Sequence, residues 1–148
     1  MKQAFSIEID GYWRETAVSG MPSHSGVYFV YVGSYNASTQ KVTLHKLIYI
    51  GESGDVKNRI TNHEKWEDWS KHVGRDQELW FSTGYVEYSN RVRVEAAYIN
   101  KHKPVENEEY KHNFPFDDTT ISSSGDTALL NTYFTVYNTN RQSIYRSA

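Results

Sequence analysis

The chain contains no cysteine, so disulfide bonds, iron–sulfur clusters and thiolate zinc sites are excluded. This absence fits a reducing compartment, and we expect a cytoplasmic protein. No apolar run approaches the roughly 18 residues that a membrane-spanning helix needs, so we expect no membrane span. The first residues alternate polar and apolar side chains and lack an apolar signal core, so we expect no secretory signal peptide.

Positive charge is also scarce, because 16 lysines and arginines face 18 aspartates and glutamates, for a net charge of −2. Proteins that bind nucleic acid tightly through its phosphates are usually basic, so any such binding should be weak and salt-sensitive. The candidates for contact with a phosphate backbone are Lys57, Arg91, Arg93, Lys101 and Lys103. A solvated helix face explains these residues equally well.

What the sequence does contain is a series of short β-type segments. Residues 5–10 alternate apolar and polar side chains, which is typical of a half-buried strand. Residues 26–33 and 41–51 are apolar and flank a polar loop, which predicts a hairpin. Further strands are predicted over 78–88 and around 133–137.

Two helices separate these strands. The first begins at Ser53 or Asp55, both of which are good N-cap residues, and its apolar stripe reaches residue 73, with a break after the first turns. The second covers 90–102 and is ended by Pro104.

The order of these elements predicts an α+β fold: a small central three-stranded, largely antiparallel sheet flanked by helices. We expect one domain over residues 1–148, with its core at 23–113. Residues 1–22 and 114–148 are expected to be β extensions that pair with each other in a second small sheet and offer a surface for a homodimer.

Helical geometry brings polar side chains toward this sheet. In the first helix, Arg59 and His63 flank the apolar face that contains Val56 and Ile60. In the second helix, where Val92, Ala96 and Ile99 should point inward, Glu95 lies at the margin of the apolar face. A carboxylate in that position must be paired, hydrogen-bonded or bound to a metal, because an isolated buried charge is too unfavourable.

The predicted hairpin adds two phenols beside glycines that allow close approach. Tyr28 follows Gly26, and Tyr49 precedes Gly51. Tyr31 lies three residues from Tyr28 and therefore points to the other face of the strand.

Taken together, these residues resemble the GIY-YIG nuclease superfamily, which includes the incising domain of bacterial excision repair and some homing and restriction endonucleases. The matching parts, in chain order, are Gly26-Val27-Tyr28, Tyr49-Ile50-Gly51, Arg59, His63, Glu95 and Asn107. The link between the two tyrosines is longer than is usual in that family. We place the extra length in the hairpin at 34–45, where it could alter substrate access.

The resemblance implies a metal-dependent endonuclease that hydrolyses phosphodiester bonds, with DNA as the expected substrate. Glu95 would be the protein ligand of one Mg²⁺ or Mn²⁺ ion, whose other positions are filled by water and phosphate oxygens. Arg59 would bind the phosphate, since its planar fork suits that geometry.

The remaining residues would handle the attacking water. Tyr28 would take a proton from it, provided that Arg59 lowers the pKa of this phenol from about 10. Tyr49 would orient the water, His63 would relay a proton or support the phosphate, and Asn107 would position the loop that follows the second helix or the substrate.

Each of these residues also has a structural interpretation. Arg59 and Glu95 would form a structural ion pair, His63 would be an ordinary helix-face histidine, and Asn107 would cap a turn.

Two other kinds of function stay open. The fold could act as a binding module for nucleic acid or protein without catalysis, or as a structural protein whose aromatic β extensions form the active surface. Trp66 and Trp69 are predicted to pack in the core, with stacking on bases as the alternative.

Overall fold

The computed structural model describes residues 1–140. The strands are β1 (Gln3–Arg14), β2 (Gly26–Asn36), β3 (Lys41–Ser53), β4 (Glu78–Tyr85), β5 (Thr119–Gly125) and β6 (Tyr133–Val136). The helices are α1 (Val56–Thr61), α2 (Trp66–Ser70) and α3 (Arg91–His102), with short 3-10 helices at Glu15–Gly20 and Tyr88–Asn90.

All six strands belong to one sheet, in the order β3-β2-β4-β1-β5-β6. The pairing of β1 with β5 is parallel and the other pairings are antiparallel, so the sheet is mixed. It curls into a half-barrel with few helices. The predicted three-stranded sheet flanked by helices is therefore wrong: the hairpin and β4 are present, but they form only half of a larger sheet.

The terminal strands join the central sheet because β4 would otherwise leave one row of backbone donors and acceptors unpaired. β1 takes that edge, from Ile9 opposite Gly84 to Arg14 opposite Trp80. β5 then pairs with the other edge of β1, and β6 pairs with β5. The predicted second sheet is thus a continuation of the first.

The expected dimer surface is reduced by this topology. β1 and β5 are paired on both sides, so of the terminal strands in residues 1–140 only β6 keeps an outer edge that the sheet does not use. The last eight residues of the extension predicted at 114–148 lie outside the described part of the chain.

The first predicted helix is two short helices. Asp55 is its N-cap, as predicted, and its side chain accepts a hydrogen bond from the backbone N–H of Asn58 at 3.1 Å. α1 ends at Thr61, and α2 starts at Trp66. The break lies after Thr61, and His63 is in the link between the two helices, so the prediction that placed His63 on the face of the first helix is wrong.

Helix α3 has the predicted bounds to within one residue, but it buries a wider face than expected. Val92 is only half-buried, whereas Val94 and Tyr98 are fully buried. The ring of Tyr98 packs edge-on against Phe29 of β2 and against Phe134 of β6, at centroid distances of 5.0 and 5.7 Å. The wider face follows from the extra strands, because the sheet continues under the whole helix.

The two faces of the hairpin carry different cores. Tyr28 and Val30 face α1 and Trp69, while Phe29 and Tyr31 face α3. The turn of the hairpin, at residues 37–40, lies at the far end of the strands from Gly26, so the extra length predicted at 34–45 is remote from Tyr28. Within residues 1–140, no helix is long and apolar enough to cross a membrane.

Candidate functional site

A cleft of about 340 Å³ opens at the outer edge of β3, between α1 and the segment that follows α3. Its described lining residues are Tyr28, Tyr49, Glu52, Arg59, Lys65, Val92, Glu95, Ile99, Glu106, Asn107, Glu108, Glu109 and Tyr110. Five of the six predicted catalytic residues are in this list. They come from β2, β3, α1, α3 and the segment after α3.

The sixth residue, His63, lies directly behind the two phenols. Its ring centroid is 6.1 Å from that of Tyr28, 5.5 Å from that of Tyr49 and 4.4 Å from that of Trp69. Its side chain is fully buried. His63 therefore supports the cleft wall without forming part of the lining.

Gly51 allows groups from opposite faces of the sheet to meet. Tyr28 belongs to the core on the α1 side, whereas Glu95 is carried by α3 on the other side. Tyr28 is paired with Gly51 on the edge strand, and a Cβ at Gly51 would overlap Cζ and Oη of the Tyr28 ring. The absent side chain thus makes room for the phenol to reach the outer edge of β3.

Both phenols are held in their protonated form at neutral pH. Burial strongly raises the pKa of Tyr28, with a further increase from Tyr49, and the Arg59 charge opposes these effects without outweighing them. Burial likewise raises the pKa of Tyr49 to about 12. The expectation that Arg59 lowers the pKa of Tyr28 below its ordinary value is therefore wrong for this protein without bound ligands.

Arg59 reaches the mouth of the cleft and binds a carboxylate there. Its Nη1 and Nη2 donate to Oε2 and Oε1 of Glu64 at 2.6 and 2.8 Å. The proposed structural partner, Glu95, is instead on the opposite wall, where its nearest described charges are other carboxylates and Arg91. The structure thus keeps the guanidinium and Glu95 separate.

Glu95 is in an unfavourable environment for a charged group. Burial raises its pKa to about 8, and the nearby carboxylates of Glu52 and Glu109 add to the increase, while Arg91 opposes it. A cation bound among these oxygens would relieve the repulsion. Within residues 1–140, no three His, Asp or Glu side chains are grouped closely enough to form a complete ligand set.

This donor set fits the Mg²⁺ or Mn²⁺ that the resemblance implies. Magnesium keeps several waters and is usually held by one or two carboxylates, and hard oxygen donors are what it prefers. The same site is unsuited to zinc, which takes three or four nitrogen, sulfur or carboxylate ligands from the protein.

Asn107 fixes the segment after α3 to the edge of the sheet. Its Oδ1 accepts from the backbone N–H of Ile50 at 2.9 Å, and its Nδ2 donates to the Ile50 carbonyl at 2.8 Å. The backbone N–H of Glu106 adds a bond to the Ile48 carbonyl at 3.0 Å. The buried amide therefore acts as one more strand residue, which covers an exposed edge and positions the acidic wall of the cleft.

His63 is neutral in the folded protein. Burial lowers its pKa to about 4, and the positive charges of Arg59 and Lys65 lower it further against the opposing effect of Glu64. Nδ1 accepts a hydrogen bond from the backbone N–H of Lys65 at 3.0 Å, which leaves the proton on Nε2. Nε2 is buried without a hydrogen-bond partner among the described groups.

None of the residues predicted to follow a phosphate backbone is among the described lining residues of the cleft, and three of them are engaged in other contacts. Arg93 donates to Thr119 and Gln3 side chains at 2.8 and 2.7 Å, so it ties α3 to β1 and β5. Arg91 stacks on Tyr88 at 4.0 Å and faces Glu52 at 3.4 Å, and Lys103 donates to the Asn100 carbonyl. Lys57 is half-buried on α1, and Lys101 is exposed near the end of α3.

Sequence reasoning missed the other charges of the cleft. In the described lining, Arg59 and Lys65 are the cations, and the five glutamates are Glu52, Glu95, Glu106, Glu108 and Glu109. The run of acids at 106–109, directly after the α3 stop, was a signal that the sequence offered. Glu52 had no such signal, because its position depends on the strand register.

The two tryptophans pack in the core, as predicted. Trp69 is fully buried, and Trp66 stacks on Phe81 with a centroid distance of 5.3 Å. Neither side chain lines the cleft described above. The alternative that they stack on bases therefore has no support from their placement.

Comparison with protein-family models, with curated proteins and with solved structures finds no match for this chain. The resemblance to the GIY-YIG superfamily stays a prediction, which depends on the residues and on the way in which the fold groups them.

Proposed function

We propose that this protein is a metal-dependent endonuclease that hydrolyses phosphodiester bonds, with DNA as the substrate and the cytoplasm as its location. The observation that carries the proposal is the convergence of two phenols, a guanidinium, a half-buried carboxylate and a clamping amide on one cleft, although five separate elements supply them. A structural role alone does not require this grouping.

Glu95 would hold one Mg²⁺ or Mn²⁺ ion, with Glu52 as a neighbouring carboxylate. When bound, the ion would supply Lewis-acid polarisation of the scissile phosphate and charge stabilisation of the leaving oxygen. Five glutamates line the cleft, so we expect nucleic-acid binding to be weak and strongly salt-sensitive without the divalent ion.

The other residues would act directly on the substrate and the water. Arg59 would bind two non-bridging phosphate oxygens through its fork. Tyr28 and Tyr49 would hydrogen-bond the attacking water and orient it. Tyr28 would accept the proton of this water only after the phenol had released its own proton to solvent, which the positive charges of Arg59 and of the bound ion would favour. Asn107 would act as a positioning residue, and His63 as a neutral support that fixes the orientation of both phenols.

The test is cleavage of supercoiled plasmid with and without Mg²⁺. We expect nicking by the wild-type protein, and a loss of at least about 100-fold in Glu95→Gln and in Tyr28→Phe. Tyr31→Phe is the matched control: this buried tyrosine lies on the same strand, faces the other core and bonds Ser82 at 3.1 Å. It should keep full activity at a temperature where it is folded.

Cleavage that survives both Glu95→Gln and Tyr28→Phe would indicate a contaminant or another site. A second candidate function, a nucleic-acid-binding module without catalysis, predicts binding that is measurable and no cleavage with any divalent ion. The same plasmid assay, followed by a band-shift measurement, separates these two functions.

A further inference from the structure

Glu64 occupies both outer nitrogens of Arg59 in the free protein. The two bonds are parallel, at 2.6 and 2.8 Å, which is the two-pronged arrangement that carboxylates and phosphates both form with a guanidinium. The same pair holds the pKa of Glu64 at about 2, because Arg59 hydrogen-bonds its ionised form. The carboxylate oxygens thus stand where two phosphate oxygens would bind.

Among residues 1–140, Glu64 is the carboxylate that Arg59 binds, although five other glutamates line the same cleft. None of those five glutamates carries a described bond to Arg59, and one of them, Glu95, is the proposed cation ligand. Glu64 lies at the mouth, in the link between α1 and α2, and its side chain is 66% exposed. Arg59 is therefore neutralised by a carboxylate that is largely exposed to solvent.

Departure of Glu64 into solvent requires rotation of one exposed side chain and no change in the backbone. Exposed ion pairs contribute little free energy, so an incoming phosphodiester can displace this carboxylate. Displacement would leave Glu64 beside the mouth as a negative charge that any substrate has to pass.

We propose that Glu64 is an internal competitor at the phosphate subsite of this protein: it fills the Arg59 fork in the free state and is exchanged for two oxygens of the phosphodiester on binding. The inference rests on the proposed function for the identity of the ligand. It adds a residue that sets affinity without taking part in the chemistry.

The first experiment measures binding of inorganic phosphate, followed by the Arg59 Nε–Hε resonance in a ¹⁵N–¹H spectrum. Glu64→Gln should lower the dissociation constant about two- to fivefold relative to wild type. Glu67→Gln is the matched control. Glu67 is an exposed glutamate on α2, so its substitution removes the same charge three residues away from Glu64. It should change the constant much less.

Equal effects of the two substitutions would overturn the proposal, because a general change of net charge would then explain them. A phosphate titration that leaves the Arg59 Nε–Hε resonance unshifted in both wild type and Glu64→Gln would overturn it as well. None of these measurements requires catalysis, so the role of Glu64 as a competitor for Arg59 can be established even if plasmid cleavage fails.

The second experiment uses a short oligonucleotide substrate in the presence of Mg²⁺. Glu64→Gln should lower KM by a similar factor and leave kcat within about twofold, because the interaction is lost before the chemical step. A fall in kcat with no change in KM would contradict the competitor role and assign Glu64 to the reaction itself.

Discussion

Glu95 and His63 are the two residues whose burial conflicts most with their chemistry. Burial and neighbouring carboxylates raise the pKa of Glu95 to about 8, and burial beside two cations lowers the pKa of His63 to about 4. Both groups are thus kept in their neutral forms near pH 7 in the protein without ligands. The proposed site for a divalent ion would account for Glu95, whereas packing accounts for His63.

The sequence predicted which residues form the site better than it predicted their bonding partners and protonation states. Spacing placed Arg59, Glu95 and the two tyrosines at one patch, and the structure groups them in one cleft. It did not predict that Arg59 binds Glu64, because Glu64 lies outside any regular helix and its reach depends on the break after Thr61. Nor did it predict the raised pKa of Tyr28, which is set by how completely the strands bury that ring.

His63 should make stability depend on acid. The folded protein favours its neutral form, so its contribution is complete above the unfolded pKa of about 6.5 and is lost as pH falls through the folded pKa of about 4. The loss should approach about 3 kcal/mol below pH 4. Urea unfolding of wild type and His63→Gln at several pH values measures this contribution as the pH-dependent difference between them.

The contributions of other acid-sensitive groups to stability cancel in that comparison, because wild type and variant both contain those groups. His45→Gln is a suitable control, because His45 bonds Ser34 on the exposed part of the hairpin, far from the cleft. A constant difference in stability between wild type and His63→Gln from pH 7 to pH 4 would show that His63 titrates normally.

At the scale of the elements, the edge strand β3 organises the site. Its residues Tyr49 and Glu52 line the cleft, Gly51 makes room for Tyr28, and Ile50 is clamped by Asn107. The motif Tyr49-Ile50-Gly51 thus has a separate physical task for each residue: a phenol, a backbone anchor and an absent side chain. The sequence indicated the phenol and the close approach at the glycine, but not the Ile50 anchor or that Tyr28 is the group that approaches Gly51.

Gly51→Ala tests this division of tasks. The new Cβ would overlap the end of the Tyr28 ring, so we expect displacement of that phenol and a loss of at least about 100-fold in cleavage. The free energy of unfolding should fall by about 1–3 kcal/mol, as is usual for overpacking. Gly20→Ala is the control, because a Cβ at Gly20 meets nothing within 4 Å.

Activity and thermal stability of both variants can be measured side by side. Wild-type cleavage in Gly51→Ala, together with an unchanged Tyr28 environment in near-ultraviolet spectra, would show that the glycine has no such role.

At the scale of the whole molecule, the main error of sequence reasoning concerns the terminal strands. β5 is written Thr-Thr-Ile-Ser-Ser-Ser-Gly, with a single large apolar residue, so its sequence resembles a loop. It is a strand because β1 offers it a parallel partner from Gln3 to Ile9. Long-range pairing of this kind leaves almost no local signal, whereas the hairpin and α3 carry strong ones.

The sheet topology also makes the predicted core at 23–113 a poor candidate for independent folding. A fragment without the terminal strands would expose one edge of β4. It would also uncover the side of α3 that packs against Phe134 and the neighbouring strands. We expect a fragment of residues 23–113 to show no cooperative urea transition, whereas the full chain unfolds cooperatively. A native-like, cooperative fragment would contradict this view of the terminal strands as part of one core.

The central claim is that the cleft at the edge of β3 binds a divalent ion through Glu95 beside two phenols. Anomalous diffraction from crystals soaked in Mn²⁺ tests it most directly, with Glu95→Gln crystals soaked in parallel. The account predicts one anomalous peak in contact with a Glu95 oxygen, in the cleft shared with Tyr28 and Tyr49, and no such peak in the variant. Saturating Mn²⁺ that leaves Glu95 without an ion in wild-type crystals would contradict it.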